Sequence, residues 1–309
     1  MSGYSLAYVA LAVDNVDAVA KIFAQDLGLR RVDCSVAQDR RVPVFGVGAS
    51  AMALFEPEDP FLRGSAKPGV HHIALAAEDP EAAARSHDIA VVDDGPREGL
   101  EGAREVELDP ATTSGVRVRF SEPLSIETSD PGPVQRIDHI GVASADNDSA
   151  IEAFSRQLGC PVESMQTDLE VRTTIESFTS DKYGVVYHNR PSEVVGGLRV
   201  AFVTTGDCDL EFLQNFDPSH GEQTENGRPG STKRDQNAIA RFIARRGPGL
   251  HHIALKTADI DGALSGLHAA GHRVIDGAGR PGSRRALIGF IHPSALGGVL
   301  VHFVQREGP

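Results

Sequence analysis

Apolar and polar residues alternate in short runs at four places along the chain, and each run opens a similar stretch of sequence. Leu6-Ala7-Tyr8-Val9-Ala10 near the start and Ile137-Asp138-His139-Ile140-Gly141 past the middle have the two-residue period of half-buried strands. Gly69-Val70-His71-His72-Ile73-Ala74-Leu75 and Gly249-Leu250-His251-His252-Ile253-Ala254-Leu255 form a second matched pair. Helical spacing follows the openings. In the third stretch Asp146-Asn147-Asp148 offers capping side chains, and Ile151, Phe154 and Leu158 fall at i, i+3 and i+7 ahead of Gly159 as the stop. In the fourth, Asp259 and Asp261 precede Leu264, Leu267 and His268, with Gly271 closing the helix. The pattern then returns to strands, among them Leu198 to Thr204, Cys208 to Leu213 and Gly298 to Val304. The predicted unit is βαβββ, with copies beginning near Tyr4, Gly69, Arg136 and Gly249.

The registers of the copies agree in detail. Phe23 and Gly28 lie 15 and 20 residues beyond Tyr8, as Phe154 and Gly159 lie beyond His139. From Pro110 to Arg119 and from Pro293 to His302 is 9 residues both times. The chain is therefore read as a duplication of a duplication. A stretch rich in proline and acid, Ser121 to Pro133, marks the linker, which predicts domains at 1–128 and 134–309. The second half is expanded: Tyr8 to His72 is 64 residues but His139 to His252 is 113. The additions are 173–197, with Tyr183, Tyr187, His188 and Asn189, and the polar 218–235, with His220, Arg228, Lys233 and Arg234, which runs into a helical pattern at Ala238, Phe242 and Ile243. Both read as loops of the length that lids and binding segments have.

Equivalent slots of the two C-terminal copies hold His139, Glu211, His252 and His302. Glu211 is flanked by apolar residues in Asp209-Leu210-Glu211-Phe212-Leu213, and a carboxylate buried in such a run needs a cation. Imidazoles with a carboxylate suit Fe, Mn, Co, Ni or Zn, and ligand identity does not choose among them. The N-terminal half holds Tyr8, Ala53, His72 and Arg119 in the same slots, so it is expected to lack metal and to serve as structure or pocket wall. Strand alternation turns His251 away from His252 and Cys208 away from Glu211. His292 before Pro293 reads as turn chemistry.

A formal charge of −13 argues against nucleic acid and anionic membrane as partners. With no long apolar run, no signal-peptide pattern after Met1-Ser2-Gly3, and three scattered cysteines, the expectation is a cytoplasmic protein with reduced thiols.

These motifs resemble the vicinal oxygen chelate superfamily, the group of glyoxalase I, methylmalonyl-CoA epimerase, fosfomycin-resistance proteins and extradiol dioxygenases. The likeness covers nearly all of the chain and is closest to the epimerase-like and glyoxalase-like modules through Gly249 to Leu255, Ala269-Ala270-Gly271, His292-Pro293 and Gly297 to Leu300. It implies an α+β fold of four βαβββ modules, paired into two glyoxalase-like domains with curled mixed sheets. It also implies one divalent metal ion on His139, Glu211, His252 and His302, and a small oxygen-chelating substrate, a 2-oxo or 2-hydroxy acid or an acyl thioester. The reaction implied is an isomerisation, epimerisation or elimination by metal-stabilised enolate chemistry, with Glu211 as base. His302 departs from the glutamate that glyoxalase I and the epimerase carry, and Leu198-Arg199-Val200-Ala201-Phe202 lacks the epimerase's further glutamate; Glu176, Tyr187 and His188 are the candidate replacements. A non-haem Fe(II) dioxygenase of the extradiol or hydroxyphenylpyruvate type is the alternative, and a metal-free ligand-sequestering protein a third. Tyr187, His188, Lys233 and Arg234 are the expected substrate contacts, with Arg245 and Arg246 nearby, and a homodimer the expected assembly.

Overall fold

The structure is a computed structural model that describes residues 3–63, 66–87, 89–92, 95–128, 132–216, 227–228 and 230–307. His220 and most of the first part of the polar insertion lie outside the described residues. The first half contains β1 (Leu6–Ala12), α1 (Val16–Gln25), β2 (Arg31–Val36), β3 (Arg40–Val47) and β4 (Ser50–Phe55). It continues through β5 (Gly69–Ala76), α2 (Pro80–Ser86), β6 (Arg97–Glu98), β7 (Arg104–Glu107) and β8 (Val118–Ser121). The second half opens with β9 (Arg136–Ser144), α3 (Asn147–Ile151), β10 (Val162–Arg172), β11 (Ile175–Ser180), β12 (Gly184–Asn189), β13 (Glu193–Thr205) and β14 (Cys208–Asn215). After α4 (Thr232–Arg246) come β15 (Gly249–Lys256), α5 (Ile260–Ala269), β16 (Arg280–Pro281), β17 (Leu287–Ile291) and β18 (Val301–Gln305). Four βαβββ units are present where the periodicity placed them.

The two eight-stranded sheets have the same order, β2-β3-β4-β1-β5-β8-β7-β6 and β10-β13-β14-β9-β15-β18-β17-β16. In both, the opening strands of paired modules meet antiparallel at the centre, β1 with β5 and β9 with β15. Registers match as well: Tyr8 lies opposite Ala74 and His139 opposite Ala254, while Arg119 lies beside Ala74 and His302 beside Ala254. Each helix opens on a side chain that accepts a backbone N–H, from Asn15, Asp79, Asp146, Ser231 or Asp259. The helix begun at Asn147 continues as a π-helix through Glu152–Gln157, and Gly159 follows with φ +71°.

The helices α1, α2, α3 and α5 pack on the outer faces of the sheets, and there one apolar cluster runs through both halves, from Val9, Leu11 and Phe23 to Ile140, Phe154 and Leu264. Cys208 belongs to it, on the face opposite Glu211. The inner faces differ. In the first half Tyr8, Val44, Ala53, Phe55 and Leu100 fill the curl, and the turn at Pro60–Leu62 adds Phe61 and Leu62. In the second half α4 covers only part of the curl, through Ile239, Phe242 and Ile243, leaving a cavity of about 700 Å³.

The addition at 173–197 is a hairpin of β11 and β12 that pair only with each other, where a loop was expected. Val185, Val186 and Tyr187 favour extended backbone, and Gly184 with φ +78° lets the chain turn. No described helix is long and apolar enough to cross a membrane.

Candidate metal centre

Three imidazoles converge at the centre of the second sheet, each from a different strand: His139 on β9, His252 on β15 and His302 on β18. Glu211 arrives from β14, which runs parallel to β9. Nε2 of His139 lies 3.2 Å from Nε2 of His302 and 3.3 Å from a Glu211 oxygen, and Nε2 of His252 is 3.5 Å from that same oxygen. All four side chains are buried, and all four line the cavity. The sequence-expected set is thus brought together in space.

Gly141 makes room for this. It pairs with His252 across β9 and β15, and a side chain there would collide with the imidazole. The first half carries Ala10 at the matching position, opposite His72.

Aromatic rings in the cavity wall pack against two of the imidazoles. Phe290 stacks on His302 with centroids 4.5 Å apart, and Phe202 meets His139 edge-on at 6.0 Å. Nδ1 of His139 donates to Asp138 at 3.0 Å, which directs its Nε2 toward Glu211 and His302. Asp138 is in turn held by Arg136, Arg284 and Arg306.

Burial works against charge on these groups, and the outcome differs among them. Burial opposes ionisation of Glu211, but His139 and His252 beside it hold its carboxyl well below the usual range. Burial also opposes a proton on His139, yet Glu211 and Asp138 raise it to about 9. Burial lowers His252, and burial with His252 and His139 alongside pushes His302 well below the ordinary imidazole range. Without a cation, a proton on His139 is favoured beside the Glu211 carboxylate. Nε2 of His252 and Nδ1 of His302 are buried with no hydrogen-bond partner among the described residues. A buried nitrogen lone pair without a partner costs about 1–3 kcal/mol, which ligation of a cation at Nε2 of His252 would remove. Three imidazoles and a carboxylate fit a first-row divalent ion.

Two neighbours escaped strand alternation. His251 was expected on the far face, but the β9/β15 register shifts between Leu250 and His252, and its ring lines the cavity, 3.0 Å from His252 at Nδ1. A second shift in the same ladder brings Asp138 to the site. An extra residue in one strand breaks the two-residue period and re-aims a side chain.

Of the expected substrate contacts, Arg234 lines the cavity. Lys233 does not: its backbone is tied to Glu170 beside Gly196. Tyr187 and His188 stand exposed on the hairpin, and Glu176 there pairs with Arg190. Arg246 donates to Pro68 O in the other half. The sequence reading overlooked Asp235, Arg280 and Arg284 in the cavity wall.

The matching place in the first half holds a guanidinium. Arg119 is paired with Glu105 at 3.1 Å, donates to Phe61 O at 2.9 Å and lies over the Phe61 ring. Tyr8 donates to Glu105 at 2.6 Å and contacts His72 at 3.2 Å.

Residues 138–290 match the family described as the Glyoxalase/Bleomycin resistance protein/Dioxygenase superfamily. The mitochondrial methylmalonyl-CoA epimerase of Dictyostelium discoideum is 33% identical over 116 residues, 37% of this chain and 60% of that protein. The mitochondrial methylmalonyl-CoA epimerase of Bos taurus is 24% identical over 215 residues, 66% of this chain and 99% of that protein. Among solved structures, a triple mutant of 4-hydroxymandelate synthase from Streptomyces coelicolor superposes with a TM-score of 0.62 at 16% identity, covering 100% of this chain and 94% of that one. A likeness at that identity shows the fold alone.

Proposed function

The C-terminal half of the chain belongs to the glyoxalase/bleomycin resistance/dioxygenase superfamily, and on that premise we propose that this protein is a divalent-metal-dependent enzyme that moves a proton next to a carbonyl of a small oxygen-chelating substrate. His139, Glu211, His252 and His302 would hold the ion. The observation that carries this reading is the meeting of three buried Nε2 atoms and one carboxylate at the floor of an open cavity. The bound cation would supply Lewis acidity toward a substrate oxygen, an effect worth several kcal/mol of developing negative charge.

The chain's own residues do the rest. Asp138 orients His139, Phe290 and Phe202 hold the rings of His302 and His139 by contact within the cavity wall, and Gly141 leaves His252 its position. Arg234 at the cavity wall, with no acidic partner among the described residues, suits a substrate carboxylate. Held between two imidazoles, Glu211 is a poor proton acceptor, which supports it as ligand rather than base. The names of the two relatives support an acyl thioester as substrate, and 2-oxo or 2-hydroxy acids are the other class proposed. We propose also that residues 1–128 form the metal-free partner of 134–309, with Arg119 in place of a metal.

The test is metal analysis of protein purified without an affinity tag, followed by deuterium uptake from heavy water into methylmalonyl-CoA and a panel of 2-oxo and 2-hydroxy acids under nitrogen. Uptake with Mn, Co, Ni or Zn is expected. Iron alone, with turnover only in oxygen, would sink the reading and favour a dioxygenase.

A further inference from the structure

The cavity carries five carboxylates, Asp138, Asp168, Glu211, Asp235 and Asp276, and their surroundings separate them. Asp138 is locked among Arg136, Arg284, Arg306 and His139. Glu211 faces two imidazoles. Asp276 accepts the Phe290 N–H at 2.9 Å and faces Arg280 at 3.4 Å, and Asp168 accepts from Gln166 at 2.8 Å. Asp235 stands apart, because its carboxylate makes no hydrogen bond among the described residues, and its one ion-pair partner, Arg280, lies 3.6 Å away.

Its position is fixed by packing that leads to the centre. Asp235 sits in the first turn of α4, the helix found only in the metal-bearing half. Arg280 lies over the Phe290 ring at 5.4 Å, and Phe290 stacks on His302 at 4.5 Å. Side-chain exposure of 41% leaves the Asp235 carboxylate open to the cavity, although the protein encloses it elsewhere.

We propose that Asp235 is the general base of this site, accepting the proton from the substrate carbon next to the carbonyl. The inference rests on the proton-transfer reading above. In the step, the C–H bond breaks, its electron pair becomes the carbon–carbon double bond of an enolate, the carbonyl pair moves to oxygen, and the proton is held on an Asp235 oxygen until it returns to carbon.

Electrostatics suit the role. Burial raises Asp235 to about 6; Arg280 from β16 opposes this, while Asp276, Glu211 of β14 and Asp168 of β10 reinforce it. A carboxylate near 6 is mostly ionised at neutral pH and more basic than an ordinary aspartate.

The experiment uses Asp235→Asn and Asp235→Glu in the full chain. In metal-free protein labelled with 13C at aspartate carboxyls, a resonance titrating near 6 should be present in wild type and missing from Asp235→Asn. In zinc- or cobalt-loaded protein, deuterium uptake into methylmalonyl-CoA or the responsive acid of the panel should fall about 10²–10⁴-fold in Asp235→Asn, with KM and metal content unchanged and Asp235→Glu partly restored. The wild-type rate should rise with pH through about 6, where the base loses its proton, and the residual Asp235→Asn rate should lack that limb. Uptake in Asp235→Asn equal to wild type, or no resonance lost near 6, overturns the inference and leaves the proposed function standing. Wild-type protein that exchanges no probe at all overturns both.

Discussion

Replacing Gly141 by alanine should weaken metal binding at least about 10-fold without unfolding the protein. A β-carbon built at Gly141 would lie 2.5 Å from Nε2 of His252 and nearer still to two other ring atoms, whereas ordinary contacts begin at 3.4 Å. The imidazole must therefore retreat by about 1 Å, against a tolerance in ligand distance of about 0.2 Å. Losing His252 from the set should weaken zinc or cobalt at least as much as disturbing an outer partner does, about 10- to 100-fold. The strand itself should survive, since Ala10 occupies the matching place in β1, and overpacking typically costs about 1–3 kcal/mol. Isothermal titration with zinc gives the affinity, and urea unfolding of the metal-free protein gives the stability. A double-mutant cycle with His252→Ala decides the mechanism: once the ring is gone, Gly141→Ala should add no further loss. Wild-type affinity in Gly141→Ala, or full additivity in the cycle, would refute the reasoning.

Other consequences can be measured on the same protein. Arg119→Met leaves Glu105 buried without its cation and should cost about 3–5 kcal/mol in urea unfolding, much of it recovered in Arg119→Met with Glu105→Gln; a loss below about 1 kcal/mol would show that the buried pair is not needed. Zinc at about 100 times its Kd should raise stability by about 2.7 kcal/mol, an effect that EDTA reverses and His302→Ala removes; stabilisation that persists in His302→Ala would place the ion elsewhere. Tyr187→Ala and His188→Ala should leave metal affinity and turnover unchanged, because both side chains stand on the exposed hairpin, whereas Arg234→Ala should raise KM for an anionic substrate.

The architecture was legible because duplication wrote it four times: each opening strand, helix cap and closing strand repeats in register, so the slots of His139, His252 and His302 could be matched to Tyr8, His72 and Arg119 before any coordinates. Glu211 was legible for a different reason, as a carboxylate inside an apolar strand. What the sequence concealed lies where the repeat is broken. His251 was assigned to the wrong face because alternation holds only until a strand gains an extra residue, and a second such shift brings Asp138 to the site as well. Glu105 went unnoticed because Ile288 stands at its counterpart in the second half. Asp235 lies on α4, which has no counterpart in the first half, so no register pointed to it. The hairpin at 173–197 looked like a loop because its apolar residues, Ile175, Phe178 and Tyr187 among them, face water, so burial gave it no pattern.

The continuous interior behind the two sheets limits how these repeats could ever be separated. Val9, Leu11 and Phe23 on one side and Ile140, Phe154 and Leu264 on the other are parts of one body, so cutting near residue 130 would expose to water flanks that each repeat now hides in its sibling. The copy with the three converging histidines, on its own, would have to recruit a twin to cover that flank. Joined in one chain, the copy whose curl is filled by side chains still keeps its neighbour dry, and this is reason enough for both to be retained.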